Sequence, residues 1–305
     1  MSLTTKMGNF EWIEDWATVP SSDNGRTHGV CVVASGDVIV FHQATPAILV
    51  FSPEGELKDS WGDYPGAHGL TLVVEDDKEF LWLTDQESKA MHKCTLDGTV
   101  VQHLSQPPHS AYEKGEFVPT WVAVNEERFG GNGDIWVADG YGKSLVHRYN
   151  ASGDYLATID GLDGAGAFNC PHGIMFDSRR DEPELLVADR GNARVQVFDG
   201  EGRFKRSFGS DYMTSPDGFS FHGDVLIVPE LTARLTLVDK DDNCVGILGE
   251  NDAVSKMAGW PNDRTHVQPG KCNSPHGACA DAYGNLFLTE WITGGRIVKL
   301  HMTEL

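Results

Sequence analysis

The tripeptide Pro-His-Gly occurs at 171–173 and again at 275–277, and an Ala-His-Gly stands at 67–69. His68, His172 and His276 are thereby separated by 104 residues twice over. An interval this regular makes an internal repeat the first question, because a fixed period dictates the architecture of the whole chain. Six segments align, beginning at His28, His68, Thr120, His172, Asp217 and His276.

Each repeat has the same order of parts. A short apolar strand leads through a turn to a second apolar strand that ends on a polar residue, and a third follows, such as RVQVF at 194–198 or RIVKL at 296–300. Turns of the Ala-Ser-Gly or Leu-Asp-Gly kind then introduce a fourth strand. Four antiparallel strands in about 40 to 52 residues make a propeller blade, so the repeat predicts an all-β, six-bladed β-propeller. The last repeat runs out after three strands, whereas the strand-like segment 10–19 belongs to no complete blade. This N-terminal strand is expected to close the last blade, giving one domain over 1–305 with no linker. Two connections, 105–119 and 250–273, are longer than the rest and both enter a first strand, where long loops are often functional.

Composition narrows the function by exclusion. A formal net charge of −21 repels phosphate backbones and anionic bilayers, so neither nucleic acid nor a membrane is an expected partner. Forty per cent hydrophobic residues and a mean hydropathy of −0.30 fit a soluble globular protein, expected as a monomer. The six cysteines show no zinc-finger spacing and do not fix the compartment. No apolar leader-like stretch follows Met1 to Lys6, which leaves cytoplasm and export after processing both open.

The histidines occupy one position, the start of the first strand, in blades two, four and six. Blades of a six-fold ring lie about 60° apart, so alternate blades aim equivalent side chains at the axis about 120° apart. Three neutral imidazoles with an open fourth position form a catalytic zinc arrangement, although imidazole also suits other divalent transition metals. His28 shows that His-Gly also marks a blade start outside this alternating set. Second strands return to the same face and end on Asp85, Asp139, Asp189, Glu230 and Glu290, with His42 in blade one. Carboxylates in such register are expected to brace the following turns. Beyond them the blades differ, offering Tyr141 in blade three, Arg190 in blade four and Gln43 in blade one. A nearby metal and the Arg190 guanidinium both favour the phenolate of Tyr141, which makes it the candidate base. The arginines at 194, 234 and 296 recur in third strands and are expected to be structural.

The motifs VADGY at 137–141, VADRGNARVQVF at 187–198, the two PHG segments and VIVFH at 38–42 resemble peptidyl-α-hydroxyglycine α-amidating lyases, NHL-repeat six-bladed propellers, over all six blades. The resemblance implies cleavage of a carbinolamide to a peptide amide and glyoxylate. It implies a zinc held by His68, His172 and His276, with Tyr141 as base and Arg190 at the active site, and a small-molecule or peptide-terminal substrate. Two residues depart from the pattern. The family's VIVFH motif continues with arginine where this chain has Gln43, and an aspartate that helps to hold structural calcium is replaced by Gly277. A neutral amide in place of a guanidinium shifts the expected substrate. Two alternatives stand beside the lyase: a lactonase-like metal hydrolase and a non-catalytic NHL-repeat interaction platform.

Overall fold

A computed structural model describes residues 2–5, 7–14, 16–20 and 25–304, and its ordered chain is a succession of six antiparallel sheets. Blade four shows the plan: Pro171–Asp177, Glu184–Asp189, Arg194–Phe198 and Phe204–Phe208 pair in sequence order. Five sheets have four strands, as the repeat predicts. In the sixth, Pro275–Ala280, Leu286–Glu290 and Arg296–Glu304 are joined by the N-terminal strand Gly8–Ile13, with Phe10 opposite Met302. A further strand, Ser2–Thr5, covers the outer edge of that sheet. The fold is a six-bladed β-propeller of four-stranded blades, and the N-terminal strand completes the last of them.

The polarity of each strand follows from its place in the blade. Second strands are covered on both faces, and Val38–His42, Ile135–Asp139, Glu184–Asp189 and Leu286–Glu290 are buried at every position. They therefore read as continuous apolar runs. Fourth strands meet solvent on one face, and Phe204–Phe208 alternates buried or half-buried with exposed residues, FKRSF.

The blades fall into two compact units. Residues 66–211 carry blades two, three and four, and residues 1–65 with 212–305 carry blades one, five and six. In the first unit, Trp82, Tyr112, Phe117 and Val137 join one inter-blade core, and Trp121, Trp136, Phe168 and Phe198 another. In the second unit, Phe10, Trp12, Leu235 and Leu288 pack together, as do Trp16, Phe51, Cys279 and Phe287.

One local feature recurs where the histidines lie. The first strand of blade two pairs Ala67 with Asp85 and then Leu70 with Leu83, so it carries one residue more than its partner. The same extra residue appears between Thr27 and Val30, between Pro171 and Ile174, and between Pro275 and Gly277. Each His-Gly pair is thus a β-bulge, a device that re-aims a side chain. The glycine is there because the neighbouring blade comes close. A Cβ on Gly69 would overlap the Thr120 carbonyl oxygen and lie 2.9 Å from Thr84 Oγ1, and one on Gly277 would overlap the His28 carbonyl oxygen and lie 2.8 Å from Thr289 Oγ1. Thr84 Oγ1 donates to the Thr120 carbonyl at 2.9 Å, and Thr289 Oγ1 donates to the His28 carbonyl, so a threonine hydroxyl ties each glycine strand to the next blade.

The strand-end carboxylates brace more than the turns that follow them. Asp189 accepts from the backbone N–H of Asn169, Glu230 from that of Ser215 at 3.0 Å, and Glu290 from that of Asn273, all in segments leading into the first strand. On the other side Asp189 pairs with Arg194 at 2.7 Å, Glu230 with Arg234 at 3.0 Å and Glu290 with Arg296 at 2.6 Å. The third-strand arginines are structural, as expected. Blade three has no such arginine: Tyr112 Oη donates to Asp139 at 2.7 Å and lies 2.6 Å from His147 Nε2. Tyr112 belongs to the long loop 105–119, which is thereby anchored under the turn that carries Tyr141.

Candidate metal centre and active site

In the unit 66–211 the bulges of blades two and four aim two buried imidazoles at one point. His68 Nε2 and His172 Nε2 are 3.1 Å apart, and their rings meet edge-on with centroids 4.7 Å apart. His68 Nδ1 lies 2.8 Å from the Thr120 carbonyl oxygen, which can only accept, so Nδ1 carries the proton and Nε2 keeps its lone pair. That is the tautomer a metal needs, held by a backbone acceptor behind the ring. Two nitrogens bound to one tetrahedral zinc stand about 3.4 Å apart, close to the observed separation. The donor chemistry of this pair fits a divalent transition metal.

Tyr141 closes the arrangement. Its strand, Ile135–Asp139, is buried throughout, whereas Tyr141 itself is 43% exposed, just beyond the strand end. Its Oη lies 3.0 Å from His172 Nε2 and 3.3 Å from His68 Nε2. Arg190 Nη2 donates to the same Oη at 3.2 Å and lies 3.3 Å from Cys170 Sγ, while the guanidinium stacks over the phenol ring at 5.3 Å. The Arg190 cation beside this oxygen favours the phenolate, whereas the His68 Nε2 lone pair that faces it accepts from the neutral phenol. Four of the residues singled out in the sequence, His68, His172, Tyr141 and Arg190, therefore meet within hydrogen-bond distance.

The other two lie in the second unit. His276 Nε2 is 3.2 Å from His28 Nδ1 and 3.7 Å from Asp217 Oδ2, and all three residues are buried. Gln43 is half-buried at the end of the second strand of blade one. Burial pushes the His28 imidazolium down to about 3, against a hydrogen bond with the Gln43 side chain that favours the charged form, while Arg26 and His42 lower it further. His28 is thus a neutral imidazole at neutral pH.

Three participants escaped the sequence reading. His28 lies outside the alternating set, and Asp217 entered only as the start of the fifth repeat, so neither was singled out as a site residue. The signal for both was their shared register position, since Pro216 bridges Glu230 just as Pro171 pairs with Asp189 and Pro275 with Glu290. Cys170, inside the NCPHG motif, gave no sign that it would touch Arg190. At Gly277 the chain offers no carboxylate to calcium, and the His28 carbonyl fills the space that a side chain would need.

No protein-family model matches the chain. It is 30% identical over 264 residues to human NHL repeat-containing protein 3, covering 79% of this chain and 72% of that one. To a probable peptidyl-α-hydroxyglycine α-amidating lyase of Caenorhabditis elegans it is 28% identical over 209 residues, which is 59% of this chain and only 57% of that lyase's length. Among solved structures, a streptogramin B lyase superposes with a TM-score of 0.64 at 14% identity, over 99% of this chain and 100% of that one. A gluconolactonase from Xanthomonas campestris superposes with a TM-score of 0.65 at 15% identity, over 97% and 90%. At such identities the structures speak for the fold alone. With the repeat, the DGY and ADR motifs and the extent of the match to the human protein, the chain belongs to the family of NHL-repeat propellers that holds NHL repeat-containing protein 3 and the peptidyl-α-hydroxyglycine α-amidating lyases.

Proposed function

We propose that the protein is a metal-dependent carbon–nitrogen lyase of the amidating type, acting on an N-acyl-α-hydroxyglycine or a related carbinolamide. The observation that carries this reading is the Tyr141 oxygen, within 3.3 Å of two imidazole Nε2 atoms and of the Arg190 guanidinium. His68 and His172 are ligands on this reading. His276 is the third, on the strength of its repeat position and the family resemblance. Zinc bound there supplies a Lewis acid that polarises the substrate hydroxyl and lowers its pKa.

The residues of the chain do the rest. Tyr141 as phenolate takes the hydroxyl proton; the C–N bond then breaks, the oxygen forms the aldehyde of glyoxylate, and the amide nitrogen recovers a proton. Arg190 holds the phenolate through Nη2 and offers its remaining N–H groups to the substrate carboxylate. Gln43 donates one neutral hydrogen bond where the family has a guanidinium. A charge-assisted contact is worth roughly 1.5 to 3 kcal/mol, so this exchange favours a substrate with a less anionic end than glycine's carboxylate.

The test is zinc analysis of chelator-free protein, followed by incubation with α-hydroxyhippurate and a glyoxylate assay. We expect about one zinc at this centre, lost in His172→Ala, and glyoxylate release reduced about 10²- to 10⁴-fold in Tyr141→Phe. Protein without metal refutes the reading. Metal without glyoxylate from any carbinolamide tried, including with Gln43→Arg, refutes the reaction. A second reading, a non-catalytic interaction platform, is favoured by the fuller coverage of NHL repeat-containing protein 3 than of the lyase. It requires that Tyr141 and Arg190 tolerate alanine in every assay of function.

A further inference from the structure

We propose that Asp217 is a ligand of the ion that His276 binds, an oxygen donor beyond the three histidines. The inference rests on the metal reading above and deepens it. Asp217 fills, in blade five, the register position that blades one, two, four and six give to histidine, because Pro216 bridges Glu230 as Pro275 pairs with Glu290. Its backbone N–H is fixed by the Pro229 carbonyl at 2.8 Å, and the residue is wholly buried. A carboxylate is placed in such a setting against cations or strong donors, since an ionised group away from water is otherwise costly. Its Oδ2 stands 3.7 Å from His276 Nε2. That is too long for a hydrogen bond. It is close to the spacing of two donors on one ion, which at about 2.1 Å each and the tetrahedral angle lie about 3.4 Å apart.

The chemical consequence is a change of charge and of hardness. Three imidazoles leave a divalent ion its full charge, whereas one carboxylate halves it and adds an oxygen donor, which widens the choice of metal from zinc towards iron, cobalt and manganese. A less positive ion attracts an anionic substrate less, in the same direction as the loss of a guanidinium at Gln43.

Zinc affinity, measured by competition with a chromophoric chelator, and the visible spectrum of the cobalt(II)-loaded protein test this on the full chain. Loss of a residue that merely supports a ligand typically weakens metal binding 10- to 100-fold. We expect Asp217→Ala to exceed about 100-fold, the cobalt bands of Asp217→Asn to move, and Asp217→His, which restores a donor atom, to recover affinity with a third spectrum. Weakening of about 100-fold or less in Asp217→Ala, or cobalt bands in Asp217→Asn that match the parent, overturns the assignment. Should the alanine variant not fold, the asparagine and histidine spectra decide alone. A parent protein that binds no metal overturns the earlier reading instead, so the two failures are told apart.

Discussion

Replacing Gly277 by aspartate, the residue the resemblance would place there, should not create a calcium site and should destabilise the protein. A Cβ at this position overlaps the His28 carbonyl oxygen and lies 2.8 Å from Thr289 Oγ1. Thr289 Oγ1 is the hydroxyl that donates to His28 and lies 3.2 Å from the Gly277 carbonyl, so it cannot withdraw without losing those contacts. Overpacking at a buried site costs about 1–3 kcal/mol, and losing the threonine bond adds about 1 kcal/mol, together about 2–4 kcal/mol. With an unfolding entropy near 2.1 cal/mol/K per residue, 305 residues give about 0.64 kcal/mol/K and a fall in melting temperature of about 3–6 °C. The shift is about twice as large when only the unit containing Gly277 melts. Differential scanning calorimetry of Gly277→Ala and Gly277→Asp, with and without calcium, measures it. A Gly277→Ala protein melting within about 1 °C of the parent, or a Gly277→Asp midpoint that rises with calcium, would refute the packing argument.

Three further outcomes follow from contacts already described. Arg296 joins Glu290 at 2.6 Å and Glu14 at 2.5 Å, so Arg296→Met strands a fully buried carboxylate and should cost about 3–5 kcal/mol in urea unfolding, with Glu290→Gln in the same chain recovering part of it. Equal stability in single and double variants would disprove the coupling. Burial holds the His147 imidazolium down at about 3, from an ordinary 6.5, with His109 lowering it further. The unfolded chain therefore binds the extra proton, and stability due to this group is complete above pH 6.5 and lost towards pH 3, at up to about 1.4 kcal/mol per pH unit. His147→Gln should flatten stability against pH across that window, and an unchanged slope contradicts it. Chelation should lower the melting temperature of the parent, by a shift equivalent to about 2.7 kcal/mol when free zinc had stood at a hundred times its dissociation constant, and should leave His172→Ala unmoved.

Much of the fold was legible because a propeller writes itself six times. The continuous apolar second strands, the turn glycines and the missing fourth strand of the last blade each predicted an element that the structure contains. Within the site, Tyr141 and Arg190 stood out because they break the repeat, and a position where equivalent residues differ is where a scaffold carries something of its own. The less legible part arises from packing between blades. Neither the fall of the His-Gly pairs in β-bulges nor the need for glycine beneath a neighbouring carbonyl can be read from the spacing, since both depend on strands far apart in sequence. The strand-end carboxylates were correctly read as braces, but their principal backbone donors come from the loops before the first strand, a pairing that only the blade's hairpin geometry defines. Asp217 was present in the aligned positions yet carried no weight until its oxygen was found beside His276.

The pairing of Phe10 with Met302 also sets an order of assembly. Residues 66–211 form three blades from one uninterrupted stretch, whose strands all pair with close neighbours in sequence. Such a segment can fold as it leaves the ribosome, because its pairings are local in sequence and their closure entropy is small. His68, His172, Tyr141 and Arg190 are then in place while the segments that carry Asp217 and His276 are still unmade. The last blade must wait until Arg296–Glu304 finds Gly8–Ile13, a pairing across a very long sequence separation and hence slow to form. The Gly8–Ile13 strand is therefore a latch, and weakening it should open the last blade while blades two to four stay formed.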